Sequence, residues 1–384
     1  MPLRTAGLAR DPVTGRIVVA MSGGVDSSVA AALLHGQGHE IVGVWMRLHD
    51  GADIRSEFRK SCCSLDAADD ARRVAAQLGV PFFILDLERE FAAGVIDPFV
   101  SAYLSGATPS PCVDCNTHVK FGALLGRARL LYGADAVATG HYARVDWVAD
   151  DALADGGRWR LRAAADPAKD QSYFLYGLRQ DQLARTRFPL GELSKPDVRA
   201  IARDLNLATA DVPESQEICF VPGGDYRETL RERAGWRETP GPVVDVDGST
   251  VGEHRGAAAY TVGQRGGVGV ALGERRYVAS IDATRNLVQL GRRKDLQRRE
   301  FRADRMHFVD GRERRTAFRA AVRIRHRGPL VPALVSPDGP ARVAEATGAW
   351  IVVPDEPVWA PAPGQAAVLY DGDEVIGGGR ITAS

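Results

Sequence analysis

The sequence predicts an α/β domain with a parallel sheet, followed by a small central domain and a C-terminal antiparallel β-barrel. Up to about residue 222, short apolar runs alternate with helical patterns, which is typical of βαβ units. From Pro222 onward, glycine and proline interrupt the chain and β-like runs such as residues 243–246 replace helices. After Phe301 helical patterns nearly vanish, which favours a small barrel or sandwich. We therefore expect domains at residues 1–222, 223–298 and 299–384.

The individual elements follow from apolar periodicity. Predicted strands of the first domain cover residues 17–20, 41–46, 82–85 and 136–139, and predicted helices cover residues 27–34, 65–78 and 121–131. Ser64 and Gly79 suit the two ends of the second helix. In the last domain, strands are expected at residues 318–325, 349–353 and 366–370. Parallel sheets bind ligands beyond the carboxyl ends of their strands, so the site is expected in the loops that follow them.

Composition excludes several classes of protein. The chain has 384 residues, 45% hydrophobic and 26% charged, which excludes wholesale disorder. No apolar run approaches the ~18 residues that cross a bilayer, so no membrane association is expected. Lys+Arg and Asp+Glu both number 49, so the net charge does not indicate a nucleic-acid partner. Residues 291–330, the basic belt, nevertheless hold 14 Lys+Arg and 5 Asp+Glu, which indicates either a phosphate-binding face or a solvated strand surface.

The five cysteines indicate thiol or metal chemistry rather than a disulfide scaffold. They are Cys62, Cys63, Cys112, Cys115 and Cys219. Their number is odd, and it is small for a chain of this length. The first 15 residues contain no apolar core of a secretory signal, so we expect a cytoplasmic location in a reducing environment.

A glycine loop, Ser-Gly-Gly-Val-Asp-Ser-Ser at residues 22–28, lies between the first predicted strand and the first predicted helix. Gly23 and Gly24 let the backbone approach an anion, and the N–H groups of a helix N-terminus form a phosphate cradle. Asp26 could orient the loop or meet a metal bound to the phosphate, while the serines can add hydroxyl donors. The lysine of a Walker loop is absent from this segment.

Further motifs follow in order along the chain. They are Thr-Pro-Ser-Pro-Cys-Val-Asp-Cys-Asn (108–116), Ala-Thr-Gly-His-Tyr (138–142), Lys-Asp-Gln-Ser-Tyr-Phe-Leu (169–175), Ser-Gln-Glu-Ile-Cys-Phe (215–220), Thr-Val-Gly-Gln-Arg (261–265) and Pro-Gly-Gln (363–365). The glycine loop resembles the PP-loop of ATP pyrophosphatases. With the other motifs, residues 17–379 resemble the tRNA-specific 2-thiouridylases, the MnmA/TrmU family.

The resemblance implies an ATP-dependent tRNA sulfurtransferase. Such an enzyme adenylates the 2-carbonyl of the wobble uridine in the anticodon stem-loop and replaces its oxygen by sulfur. ATP with Mg²⁺, the tRNA and a persulfide or sulfide donor protein are the implied cofactors and partners, and a monomer or weak oligomer is expected. By resemblance Cys115 is the nucleophile, Cys219 carries the persulfide, and a disulfide joins them in the cycle. We also expect a helix N-terminus to lower the pKa of the Cys115 thiol.

Binding positions carry over from the family residue by residue. The implied ATP-binding residues are Ala20, Met21, Ser22, Gly23, Gly24, Val25, Asp26, Ser27, Met46 and Gly140. The implied tRNA-binding residues are Ser110, Pro111, Cys112, His141, Lys169, Asp170, Gln171, Arg325, His326 and Gln365. Among these, Ser110–Cys112 match the segment that faces the target base. Arg325 lies in the basic belt, where phosphates of the anticodon stem would need neutralisation.

The chain departs from the family pattern at Cys112, where an acidic residue usually stands three positions before the nucleophile. The general acid or base is therefore open, with Asp114 as a substitute. Cys112 could simply be a small residue beside the base. Alternatively, Cys112, Cys115 and Cys62 or Cys63 could hold an iron–sulfur cluster or zinc, with Cys63 as a possible third ligand. An iron with an open coordination position would then bind sulfide and deliver it to the adenylated uracil, so no persulfide on Cys219 would be needed.

Two other functions remain open on the residues alone. A PP-loop ligase acting on a small metabolite would leave Cys115, Cys219 and the basic belt without a role. A metal-stapled RNA-binding module would leave the glycine loop unexplained.

Overall fold

The computed structural model describes residues 15–49, 65–150, 153, 156–213, 218–270, 273–339 and 348–383. The chain folds into two compact units. The first unit is Met1–Gly94 with Asp114–Gly223, and the second is Val95–Val113 with Gly224–Ser384.

A parallel sheet forms the centre of the first unit. The strands of this unit are β1 (Arg16–Ala20), β2 (Glu40–Arg47), β3 (Phe82–Asp86), β4 (Ala136–Ala138), β5 (Ala143–Ala149), β6 (Gly157–Ala163) and β7 (Thr186–Arg187). Five of them pair in parallel in the order β3-β2-β1-β4-β7, while β5 and β6 form an antiparallel hairpin. Ile17, Val18 and Val19 of the central strand are fully buried, as expected for a parallel strand covered on both faces.

Helices connect these strands and continue into the second unit. The α-helices are α1 (Val25–Gly36), α2 (Leu65–Leu78), α3 (Glu88–Phe91), α4 (Asp97–Leu104), α5 (Pro111–Asp114), α6 (Leu125–Tyr132), α7 (Gln180–Leu183), α8 (Lys195–Asp204) and α9 (Tyr226–Ala234). Two segments are π-helical, Ala92–Ile96 and Cys115–Leu124. Short 3₁₀ turns cover Ser172–Leu175, Pro222–Gly224, Ala257–Ala259 and Arg293–Leu296. In the part of the chain that the model describes, no helix combines the length and apolarity needed to cross a bilayer.

The second unit contains a small sheet and a closed barrel. Its strands are β8 (Gly241–Val244), β9 (Thr250–His254), β10 (Tyr277–Asp282), β11 (Leu287–Gly291), β12 (Gln297–Arg298), β13 (Phe301–His307), β14 (Phe318–Arg323), β15 (Val331–Pro337), β16 (Trp350–Pro354), β17 (Val358–Trp359), β18 (Ala366–Asp371) and β19 (Glu374–Ile381). Strands β10-β11-β8-β9 form the small sheet. The antiparallel order β13-β16-β15-β14-β18-β19 closes because β19 pairs back onto β13. The barrel core includes Phe301, Val335, Trp350 and Leu369.

The structure matches the sequence prediction for most strands and corrects it at two helices. The helix expected at residues 121–131 instead begins at Pro111 and is π-helical in its middle. A helix, α9, stands where only β-like runs were expected. It was missed because only Thr229 and Leu230 are buried along it, which leaves almost no apolar periodicity. Polar ends define it instead: Asp225 accepts from the Arg227 amide, and Gly235 ends the helix with φ +63°.

Candidate active site

The glycine loop at residues 22–28 joins β1 to α1. Gly23 has φ +74°, and a Cβ there would lie 2.2 Å from the carbonyl oxygen of Ala67, so backbone angle and space both require glycine. Helix α1 begins after Gly24, and no side chain caps it. The amide N–H groups of its first turn therefore face no capping side chain, which suits phosphate binding at a helix N-terminus.

The serine hydroxyls hold this loop in shape. Ser27 Oγ accepts from the Ser22 amide at 3.0 Å and donates to the Gly24 carbonyl at 3.1 Å. Ser28 Oγ donates to the same carbonyl at 2.9 Å. Ser27 and Ser28 are buried, whereas Ser22 is exposed. Of the three expected hydroxyl donors, Ser22 is therefore the one at the surface of the loop.

Asp26, the only carboxylate of the loop, is held by a lysine from a distant helix. Lys195 Nζ lies 2.7 and 2.8 Å from the two Asp26 carboxylate oxygens, and Tyr142 Oη donates to one of them at 2.8 Å. Only 10% of the Lys195 side chain is exposed, against 31% for Asp26. The loop, which contains no lysine, thus has a buried cation beside it.

Sequence reasoning missed Lys195. It is the first residue of α8, which Ser194 caps by accepting from the Asp197 amide and which has Pro196 in its first turn. The available signal was indirect: a phosphate loop without its own lysine needs a cation from elsewhere. Nothing local pairs Lys195 with Asp26, since the partners are 169 residues apart.

The remaining expected ATP-binding residues lie near the carboxyl ends of adjacent strands. Ala20 ends β1, Met46 is near the end of β2, and Gly140 follows β4. A Cβ on Gly140 would lie 2.7 Å from the Asp26 backbone carbon and the Ser27 nitrogen, so this segment touches the start of α1. The structure therefore brings these residues around the loop, where a parallel sheet binds its ligand.

His141 occupies an apolar position beside this segment. Its ring packs against those of Phe121 and Phe188, which also contact each other, and Thr139 Oγ1 is 2.7 Å from Nδ1. Burial holds the pKa of His141 well below its usual range, and the charge of Lys120 lowers it further. His141 is therefore neutral at pH 7, so any tRNA contact it makes would be a hydrogen bond or stacking rather than phosphate neutralisation.

Cys115 is buried at the first residue of the π-helical segment Cys115–Leu124. The helical run starts four residues earlier, at Pro111, so the expectation that a helix N-terminus acts on Cys115 is wrong. The partial charge of a helix terminus falls off within the first turn, which Cys115 has already passed. The next residue, Asn116, anchors the segment because its Nδ2 donates to the Phe174 carbonyl at 3.1 Å. π-Helical turns frequently occur at functional sites.

Cys219 is half-buried and lies in the same unit as Cys115. Its neighbour Phe220 packs edge-on against Phe91 of α3, with ring centroids 5.6 Å apart. Helix α3 in turn packs against the π-helical segment that begins with Cys115. A continuous set of contacts therefore links the two cysteine-bearing segments.

In the second unit, the Pro-Gly-Gln motif at 363–365 contacts the Thr-Pro-Ser-Pro-Cys motif. Gln365 Nε2 donates to the carbonyls of Thr108 and Pro109 at 3.0 and 3.1 Å. Gly364 has φ +88°, and a Cβ there would lie 2.9 Å from the Thr108 carbonyl oxygen. Of the residues expected to face the base, Ser110 and Pro111 are buried and Cys112 is exposed. The Gln365 side chain therefore holds the segment that carries Cys112.

In the stretch at residues 169–171, two side chains form hydrogen bonds within the protein. Asp170 is buried, and its Oδ1 accepts from the amides of Ala164 and Ser172 at 3.1 Å. Gln171 Oε1 accepts from the Tyr142 amide at 2.9 Å. Lys169 is half-exposed. A tRNA contact at this stretch stays a prediction.

The metal proposal falls partly outside the described residues. Cys62 and Cys63 lie in the undescribed segment 50–64. Among the residues that are described, no three His, Cys, Asp or Glu side chains come together as a metal site. For Mg²⁺ at the loop, Asp26 is the available carboxylate, and a metal there would compete with Lys195 for its oxygens.

A glycine loop at the end of a central parallel strand, followed by a helix that no side chain caps, places the first unit among the α/β proteins with a parallel sheet. Three family models match successive parts of the sequence: a tRNA methyl transferase HUP domain at residues 15–223, a tRNA methyl transferase PRC-barrel domain at 227–292 and an aminomethyltransferase beta-barrel domain at 298–381. Relatives that are 48% and 49% identical and cover 95% of this chain are tRNA-specific 2-thiouridylases, so the chain belongs to that family. The predicted fold class and the family resemblance are thereby confirmed.

Curated relatives support this family assignment over nearly the full length. The tRNA-specific 2-thiouridylase MnmA of Roseiflexus castenholzii is 48% identical over 375 residues, covering 95% of this chain and 99% of the relative. That of Chloroflexus aggregans is 49% identical over 366 residues, covering 95% and 98%. A solved NMN synthetase from Francisella tularensis covers 59% of this chain and 80% of its own, with 16% identity and a TM-score of 0.32.

Proposed function

We propose that this protein is an ATP-dependent tRNA sulfurtransferase that converts the wobble uridine of certain tRNAs to 2-thiouridine. The observation that carries this proposal is the combination, within one compact unit, of the uncapped glycine loop, Cys115 and Cys219. A phosphate loop serves to activate an oxygen with ATP, and paired cysteines serve to transfer sulfur. The relatives are named tRNA-specific 2-thiouridylases, which supports the thiolation of tRNA as the reaction.

The first step activates the uridine. The oxygen at C2 attacks the α-phosphorus of ATP, pyrophosphate leaves, and the base becomes O-adenylated. The first-turn amides of α1 would bind the phosphates, and Lys195 would offset negative charge that develops on the leaving pyrophosphate. Mg²⁺ accompanies the nucleotide as part of the substrate and adds positive charge at the phosphates.

The second step delivers sulfur. A donor protein leaves a persulfide on Cys219, and the Cys115 thiolate attacks its inner sulfur. This forms a Cys115–Cys219 disulfide and releases hydrosulfide. Hydrosulfide adds to C2 of the adenylated base, and AMP departs with the former carbonyl oxygen. A thiol reductant then restores both cysteines for the next cycle.

The tRNA would reach this chemistry with its wobble base turned out of the anticodon loop. We propose that residues 110–112 face that base and that Asp114, which is half-buried, takes the acid–base role that Cys112 cannot fill. Such an enzyme works where tRNA and reduced thiols are present, so we propose the cytoplasm.

Product analysis tests the proposal. Purified protein is incubated with ATP, bulk tRNA and a persulfide donor, and the tRNA is digested to nucleosides for mass spectrometry. AMP and pyrophosphate formed only with tRNA, together with a nucleoside in which sulfur replaces oxygen, would support it. Turnover on a small metabolite without tRNA would support a PP-loop ligase. Because two family models are described as methyl transferase domains, the same spectra also test for an added methyl group.

The iron–sulfur alternative has a direct assay. Protein purified without oxygen is analysed for iron and acid-labile sulfide. An iron-free protein that thiolates tRNA fully from a persulfide donor excludes the cluster. If iron is found, replacing Cys63 by serine should remove it without changing ATP binding, because the glycine loop contains no cysteine.

Gln365→Leu should slow thiolation by roughly tenfold with little change in tRNA affinity. The side-chain amide of Gln365 is occupied by the Thr108 and Pro109 carbonyls, so its loss would loosen the segment proposed to face the base. The single-turnover rate of thiolation and the dissociation constant for tRNA are measured for the variant and for the wild-type protein. Lost affinity with an unchanged rate would favour a direct tRNA contact instead.

A further inference from the structure

Two guanidinium groups share one indole ring in the second unit. The Arg293 guanidinium lies 5.3 Å from the centroid of Trp359, and that of Arg325 lies 4.9 Å from it. The two charges are therefore at most about 10 Å apart, given those distances to one centroid. An aromatic face attracts each cation, but two cations on one ring also concentrate positive charge.

The surroundings fix this arrangement. Trp359 Nε1 donates to the Arg293 carbonyl at 3.1 Å, and the Trp359 ring packs edge-on against Tyr277 at 5.4 Å. Arg325 Nη2 donates to the Ala360 carbonyl at 2.9 Å. A Cβ on Gly263 would come within 3.1 Å of the same Nη2. Gly263 belongs to the Thr-Val-Gly-Gln-Arg motif, which the fold thereby places against Arg325.

Five other arginines of the basic belt are held in ion pairs with carboxylates. Ion pairs join Arg292 to Glu274, Arg302 to Asp338, Arg314 to Asp310, Arg315 to Glu313 and Arg319 to Asp355. Arg293 differs from them. In the described part of the chain its guanidinium has no carboxylate or hydrogen-bond partner, and the residue is exposed.

Arg293 is exposed, has no carboxylate partner among the described residues and is held over an indole ring. Its guanidinium is therefore positioned to bind an anion. Holding the side chain in place beforehand reduces the entropy lost on binding. A guanidinium fork also matches phosphate geometry. Arg293 and Arg325 therefore place two of the positive charges of the belt at one ring.

We propose that Arg293, with Trp359 and Arg325, forms an RNA phosphate-binding site in which Arg293 is a specific tRNA contact. The inference rests on the proposed function, because tRNA is the polyanion that such an enzyme must bind. Trp359 acts as the positioning residue, since it keeps both guanidinium groups in place.

The test measures tRNA binding without ATP by fluorescence anisotropy at several salt concentrations. Arg293→Gln should weaken binding roughly three- to tenfold and lower the slope of log affinity against log salt by about 0.9, the value for one phosphate contact. Arg315→Gln is the matched control. It removes the same charge from the same belt, but Arg315 is already paired with Glu313 at 2.8 Å.

Trp359 supplies a second, independent variant. Trp359→Phe keeps an aromatic face and should stay near wild-type affinity, whereas Trp359→Leu should lose affinity and salt slope together. Thermal unfolding of each variant shows whether the barrel is intact. Arg293→Gln behaving like Arg315→Gln in both affinity and slope would overturn the site. Failure of the wild-type protein to bind tRNA at all would instead overturn the proposed function.

Discussion

Replacing Cys115 by serine is expected to abolish tRNA thiolation, with a loss of about 10⁴-fold or more, as is found when a catalytic nucleophile is removed. Serine cannot attack a persulfide to form a disulfide, so hydrosulfide is never released. The oxygen-activating step needs no thiol. ATP–pyrophosphate exchange in the presence of tRNA should therefore survive in Cys115→Ser, and this separates lost chemistry from lost folding.

Cys219→Ser should give the same loss of product for a different reason. With a donor carrying radioactive sulfur, Cys115→Ser should still acquire label that thiols release, whereas Cys219→Ser should not. The two variants therefore act as controls for each other. Substantial 2-thiouridine from the Cys115→Ser enzyme, or label retained by Cys219→Ser, would contradict the assigned roles.

Lys195→Met is expected to reduce ATP turnover by roughly 10²- to 10³-fold, the usual cost of losing one group that stabilises transition-state charge. It leaves the Asp26 carboxylate half-buried, with the Tyr142 hydroxyl as its remaining hydrogen-bond partner among the described residues. A loss of about 2 kcal/mol in the free energy of unfolding should accompany it, because removing one partner of a shielded ion pair strands the other charge.

A double-substitution cycle separates these two effects. Asp26→Asn combined with Lys195→Met removes both charges, so stability should recover towards wild type while ATP turnover remains low. tRNA affinity, measured without ATP, should be unchanged in all three variants. Recovery of turnover along with stability would show that Lys195 only neutralises Asp26 and does not act on the phosphates.

The sequence by itself determined the order of domains and most of the parallel sheet. The strands at residues 17–20, 41–46, 82–85 and 136–139 agree with β1 to β4, because continuous apolar runs between helical patterns can be buried only inside such a sheet. The glycine loop could also be predicted from the sequence, since phosphate binding needs glycines at a single turn of the chain. Local chemistry leaves a local pattern.

Only the tertiary structure decided which distant residues act together. Lys195 meets Asp26, and Gln365 meets Thr108, across 169 and 257 positions of the chain. It also moved the start of the helix before Cys115 to Pro111, and it placed the Arg293 guanidinium over the Trp359 ring. These contacts depend on how the strands and helices pack. Packing brings together side chains that are far apart in the sequence, and no repeating sequence pattern links such residues. A sequence pattern records what one segment does, whereas pairing between segments is determined when the core forms.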